Sequence, residues 1–186
     1  SKKWTFLFIG LTVMILAALF TESPAAAEAS SAINQADTAW MIVAAALVLL
    51  MTPGLSFFYG GMVSRRNVIS TMLQSFISLG VVSILWYVVG FSLAFGDSIG
   101  GVIGNPFTYM NFKGVGLAPS DTFATTIPFL LFALFQLKFA IITPALITGS
   151  FAERVRFSGY LLFIVLFSLV IYAPLAHWTW HPEGFL

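Results

Sequence analysis

Residues 123–150 read FATTIPFLLFALFQLKFAIITPALITGS, with Lys138 as the only formal charge in the stretch. A bilayer's hydrocarbon core is ~30 Å thick and is crossed by about 20 residues rising 1.5 Å each. The stretch from about Phe123 to Ser150 therefore reads as a membrane span. Three others qualify on the same ground, roughly Thr38 to Val63, Val68 to Phe95 and Phe157 to Ala176. Between the second and third lies a loop rich in Gly, Asn and Pro, from Gly96 to Ser120. No soluble domain fits between the spans, and the fold class is all-α, a polytopic bundle of transmembrane helices.

Composition agrees. Of 186 residues, 59% are hydrophobic and 8% charged, against roughly 25% charged in a soluble domain. A soluble enzyme is excluded. A net charge of +1 provides no basic field for nucleic acid. With no cysteine, disulfides, thiolate chemistry and Cys-ligated metals are out. Nothing in the chain resembles a nucleophile with its base, a phosphate-binding Gly loop or paired carboxylates. Neither enzyme activity nor a cofactor is expected.

At the N-terminus, Lys2 and Lys3 precede an apolar run from Trp4 to Phe20, and Ser23-Pro24-Ala25-Ala26-Ala27-Glu28-Ala29 follows. Basic, apolar and small-residue zones in that order make residues 1–29 a secretory signal peptide, or an uncleaved anchor, ahead of one membrane domain over 30–186. Charge asymmetry sets the orientation. Arg65 and Arg66 join spans one and two, and Arg154 and Arg156 join spans three and four, with Glu153 the only acid there. Glu22, Glu28, Asp37, Asp97, Asp121 and Glu183 lie on the other side, against Lys113 alone. Lys and Arg favour cytoplasmic loops. The chain is thus expected to be a multi-pass cell-membrane protein with its mature N-terminus outside the cytoplasm.

The spans carry polar and breaking residues. Pro53, Pro128, Pro144 and Pro174 are expected to interrupt them, each removing a helical hydrogen bond. Asn67, Ser70, Thr71, Gln74 and Ser75 open span two, and Gln136, Thr143, Thr148 and Gly149 lie in span three. Small and polar residues inside a bilayer mark helix–helix interfaces, so the interior is expected to be polar.

Candidate functional residues lie in the third span and just after the fourth. Phe135 and Phe139 are one helical turn apart, with Gln136 flanking their face and Thr143 continuing it. They are either core packing or two rings lining a narrow path, with Gln136 bonding nearby backbone. Trp180 is either an interfacial belt residue or a cation-π surface, attracting a small cation by ~0.5–2 kcal/mol. His177 and His181 read as polar rim residues rather than ligands. Lys138 sits near mid-bilayer, where a lysine costs ~2.5–3.5 kcal/mol, and no acid within the spans is an evident partner. Structural pairing and a functional role are both open to it.

Several strings together resemble the ammonium transporters of the Amt/Mep/Rh family. They are Met51-Thr52-Pro53-Gly54-Leu55-Ser56-Phe57-Phe58-Tyr59-Gly60-Gly61, Arg66-Asn67-Val68, Phe135-Gln136, Phe139 through Ile147, Ala152-Glu153-Arg154 and Ala176-His177-Trp178. They keep the family's order and spacing over about residues 37–184. The resemblance implies a homotrimer of eleven-helix protomers, each built from inverted five-plus-five repeats around its own pore, with this chain supplying the first part. It implies that Phe135, Phe139 and Trp180 bind ammonium at an external site and that Phe139 is one ring of a stacked Phe gate. Gln136, Tyr59 and Thr143 support them. Ammonium would lose a proton there, and ammonia and proton would cross separately.

The resemblance also allows a PII-type regulatory protein landing on the loops at Arg65-Arg66 and at Glu153 to Arg156. The family's next pattern, an Asp followed by Ala-Gly-Gly and then a pore histidine, lies beyond Leu186, and the expectation is an N-terminal portion of a longer chain. Lys138 stands where many members have an uncharged residue, and a fixed charge facing a cation path opposes transport. Two alternatives therefore stand beside ammonium transport: a non-conducting ammonium sensor coupled to cytoplasmic signalling, and a non-transporting truncated fragment.

Overall fold

In the computed structural model, residues 33–186 are described; the expected signal segment, 1–29, lies outside them. Asn34 starts the first span. Its side-chain oxygen accepts the N–H groups of Ala36 at 2.9 Å and Asp37 at 3.3 Å, occupying donors that a helix start leaves free. Helix α1 follows, Gln35–Met62. Its buried residues, Ala45, Thr52, Ser56 and Gly60, are small and share one stripe, while Leu47, Leu50, Phe57, Phe58 and Met62 stay exposed. Small residues let helices approach: a Cβ added at Gly60 would sit 2.8 Å from Met72 Cγ.

The second span, Val68–Phe95, is α2 (Val68–Leu85), a π turn (Trp86–Gly90) and α3 (Phe91–Phe95). Its inward stripe is polar, with Thr71, Gln74, Ser75 and Ser78 all buried. After α3 the chain makes a hairpin of β1 (Ser98–Ile99) and β2 (Ile103–Gly104), antiparallel with Ser98 opposite Gly104. Gly100 and Gly101 turn it at φ +64° and +74°, a backbone conformation that suits glycine.

The third span, Phe129–Phe151, begins later than the expected Phe123. Residues around Phe123 instead form a turn, with Ser120 bridged to Ala124. Pro128 caps α4 (Phe129–Leu146) rather than interrupting it, because a proline with no N–H costs nothing at a helix start. Helix α5 (Thr148–Phe151) completes this span. The fourth, Phe157–Trp180, is α6 (Phe157–Leu166), a π turn (Phe167–Tyr172) and α7 (Ala173–Trp180). It runs a turn past the expected Ala176. Pro174 comes just after the π turn, at the start of α7, where the widened turn absorbs the missing N–H.

Among the described residues, four helical segments are thus long and apolar enough to cross a membrane. Aromatic packing fills the end away from the arginines: Trp86, Phe91, Phe95 and Phe129 are buried, and the Trp86 indole N–H donates to the Ala133 carbonyl at 3.2 Å. At the arginine end, Glu153 Oε1 accepts the Ser64 N–H and hydroxyl, both at 2.7 Å, and the Asn67 amide at 3.1 Å. These bonds, the Ser64 hydroxyl first, hold the Glu153 carboxyl below its usual pKa. Glu153 reaches this pose at φ +66°, a left-handed backbone that a non-glycine residue seldom adopts. The two arginine-bearing joints are therefore fastened to each other.

Candidate functional site

Helix α4 places Phe135 and Phe139 one turn apart, ring centroids 5.1 Å apart and 77° between planes. Trp180 closes α7, and its indole lies edge-to-face with Phe139 at 6.4 Å and 61°. The three aromatics expected at the outer site thus form one connected chain of rings. Phe135 and Phe139 are half-buried, and Trp180 is 47% exposed, leaving part of the indole open. A ring face left open in a partly dry setting attracts a small cation by ~0.5–2 kcal/mol.

Sequence reasoning missed what holds Trp180. His177, expected at a polar rim, is fully buried. Its Nδ1–H donates to the Ala94 carbonyl at 3.0 Å, since a carbonyl can only accept, and its Nε2 then accepts the Ser98 hydroxyl at 2.9 Å. The Gly101 N–H donates to that same hydroxyl at 3.1 Å. Trp178 reaches across the hairpin as well, its indole N–H donating to the Val102 carbonyl. The imidazole of His181 stacks on His177 at 4.4 Å and 24°. Burial, then the neighbouring His177, pushes the His181 pKa down, against Asp97 and Glu183, which raise it. His177 is thus a structural node joining α3, the hairpin and α7. The one available signal was its i, i+4 spacing to His181, which caps the same helix.

Beside this node, Asp97, Ser98, Phe123, His181 and Glu183 contribute to an open pocket of about 310 Å³ at the end away from the arginines.

The supporting residues separate. The Thr143 hydroxyl donates back to the Phe139 carbonyl at 2.7 Å, one turn up α4. Gln136, expected to bond backbone, has its Oε1 buried with no hydrogen-bond partner among the described residues. Tyr59 lies at the arginine end, its hydroxyl donating to the Leu146 carbonyl at 2.6 Å, away from the three rings. Lys138 is half-buried and shares an α4 stripe with Leu134 and Phe135. The only carboxylate in the four spans is Asp37, in the first turn of α1. The N-termini of α1 and α4 lie together, the Asn34 N–H donating to the Thr126 carbonyl at 2.8 Å, so Lys138 sits roughly 10 Å deeper than Asp37.

The sequence model of the Ammonium Transporter Family matches residues 39–186. An ammonium transporter of Aquifex aeolicus (strain VF5) is 46% identical over 180 residues, covering 96% of this chain and 40% of that protein. One of Bacillus subtilis (strain 168) is 50% identical over 146 residues, covering 77% of this chain and 35% of that protein. In structure, the chain is similar to Saccharomyces cerevisiae Mep2, with a TM-score of 0.76 and 30% identity, over 89% of this chain and 39% of that one. It is also similar to a protein described as "Sensor Amt Protein", with a TM-score of 0.67 and 30% identity, over 76% of this chain and 33% of that one. The chain thus spans two fifths or less of the length of these relatives. With four helices among the described residues long and apolar enough to cross a membrane, and matches of this extent, the chain belongs to the Ammonium Transporter Family.

Proposed function

We propose that this chain forms the N-terminal part of an ammonium transporter that captures ammonium at Phe135, Phe139 and Trp180 and passes ammonia inward past Phe139. The observation that supports it is the continuous edge-to-face chain from Phe135 through Phe139 to the half-exposed Trp180. Open ring faces favour a cation, whereas an apolar path beyond them favours the neutral form, because an ion pays heavily to enter hydrocarbon. Phe139 is then both the inner wall of the capture site and one ring of the gate, with its partner ring supplied by a second repeat. Thr143 and Gln136 support the same helical face, and Tyr59 secures its far end. The protein works as a homotrimer in the cell membrane, with the arginine joints cytoplasmic and the mature N-terminus outside. A PII-type regulator is received on the loops at Arg65-Arg66 and at Glu153 to Arg156. The test is the full-length gene in a transport-deficient host. Growth on limiting ammonium, lost with Phe139→Ala, is expected, and no rescue by the wild type would overturn the reading.

The likeness to a sensor protein and an intramembrane Lys138 without a carboxylate partner among the described residues support a second reading, an ammonium sensor whose pore is closed. The Lys138→Met variant separates the two. Uptake that is absent in the wild type and appears in the variant favours the sensor, and uptake present in both favours the transporter.

A further inference from the structure

We propose that the arginine-side half of the bundle contains a buried water site, enclosed by α1, α2, α5 and α6 and separate from the aromatic path. Four polar side-chain atoms there, Thr52 Oγ1, Gln74 Oε1, Ser75 Oγ and Thr148 Oγ1, have no hydrogen-bond partner among the described residues. Their residues are at most 6% exposed. Buried polar groups are almost always bonded, to protein or to ordered water, because an unmet one costs the full loss of its solvation.

Hydrogen bonds of neighbouring groups fix the registers of the helices that carry the four. The Ser56 hydroxyl donates to the Met72 carbonyl at 3.0 Å and sets the antiparallel register of α1 on α2. One turn further along the buried stripe of α1, Thr52 comes level with Ser75. The Tyr160 hydroxyl donates to the Gln74 carbonyl at 2.8 Å, and α5, which opens with Thr148, packs on α2. The Ser78 hydroxyl in turn donates to the Ile141 carbonyl of α4 at 3.0 Å.

Two proline breaks lie at this depth. Pro53 has no N–H for the Leu49 carbonyl, and Pro144 has none for the buried Ala140 carbonyl. The Tyr59–Leu146 bond sets α1 parallel to α4, which brings Pro53 level with Ala140. Prolines inside membrane helices are tolerated where hydroxyls and ordered water supply the lost bonds. The occupant follows from the donor set. Hydroxyls, an amide and backbone carbonyls, with no carboxylate among them, suit a small neutral molecule that both donates and accepts. Water meets that description, and a cation would find no counter-charge.

A sign separates a hydrated site from a dry one. If water bridges these atoms, replacing a hydroxyl by a methyl of the same shape strands the water and destabilises; if the site is dry, the same change relieves an unmet group and stabilises. Thr52→Val and Thr148→Val in the full-length protein, in ammonium-free buffer, are expected to lower the thermal midpoint by about 1–4 °C each. The double variant should lose less than the sum, because the same water is released once. A map of the wild type at high resolution is expected to show density within about 2.6–3.2 Å of at least two of the four atoms. A rise or no change in either midpoint, or a map without that density, overturns the proposal. Neither readout involves transport, so its failure leaves the capture site untouched.

Discussion

The phenol of Tyr59 donates to the carbonyl of Leu146 at 2.6 Å. Leu146 is the last residue of α4, where carbonyls have no helical partner. The bond ties the arginine-side ends of α1 and α4, and Gly149 admits the ring: a Cβ there would sit 2.6 Å from Tyr59 Cε1. Tyr59→Phe is expected to cost about 0.5–1.5 kcal/mol, the net worth of one hydrogen bond. Gly149→Ala, which must displace the ring, should cost about 1–3 kcal/mol. Thermal midpoints of the two variants check both values, and a neutral Gly149→Ala would show that the ring is not held.

Trp180 is the more exposed member of the ring chain, so its contribution should appear in capture rather than in passage. Losing ~0.5–2 kcal/mol of cation-π attraction raises the apparent KM for ammonium or methylammonium by roughly 2- to 30-fold in Trp180→Ala. Trp180→Phe, which keeps a weaker ring face, should fall between. Uptake measured over a range of concentrations checks the split; a fall in maximal rate at unchanged KM would count against a capture role.

His177→Phe preserves an aromatic ring but takes the donor from the Ala94 carbonyl and the acceptor from the Ser98 O–H. Leaving a buried acceptor unmet costs about 1–3 kcal/mol. Because Trp180 lies one turn further along α7, the variant should also raise the KM of uptake. His177→Asn, whose amide nitrogen lies close to the Nδ1 position, is expected to recover part of both losses.

Glu153 makes a prediction about acid. Its carboxyl titrates below the ordinary 4.5 in the folded protein, so the folded state binds that proton more weakly than the unfolded chain. The resulting stabilisation is present above pH 4.5 and is lost as pH falls through the lower folded value. Glu153→Ala should be less stable than the wild type at neutral pH, and the gap should shrink on acidification below 4.5. Thermal midpoints measured from pH 7 down to about 3 would expose a gap that stays constant, which would mean the charge is not what Ser64 and Asn67 hold.

The spans could be read from residues because membrane insertion is nearly local, each side chain adding its own transfer term over one stretch of helix. The arginine joints were legible for the same reason. Boundaries were less so: Pro128 looked like a break inside a span, yet a proline is neutral at a helix start, and only the bend at Ser120–Ala124 shows where that start is. The π turns at Trp86–Gly90 and Phe167–Tyr172 had no sequence signature, since an extra residue in a turn leaves apolar periodicity almost unchanged.

Composition and order alone determined that four stretches among the described residues are long and apolar enough to cross a membrane, which joints carry the positive charge, and that Phe135 stands beside Phe139 on one helix. Tertiary structure decided that Trp180 reaches Phe139, that His177 is a buried node, and that Tyr59 works at the opposite end from both. The division has a physical cause. Neighbours within a helix follow from its 3.6-residue period, whereas contacts between helices depend on register and rotation. Those are set by the packing of all four spans at once.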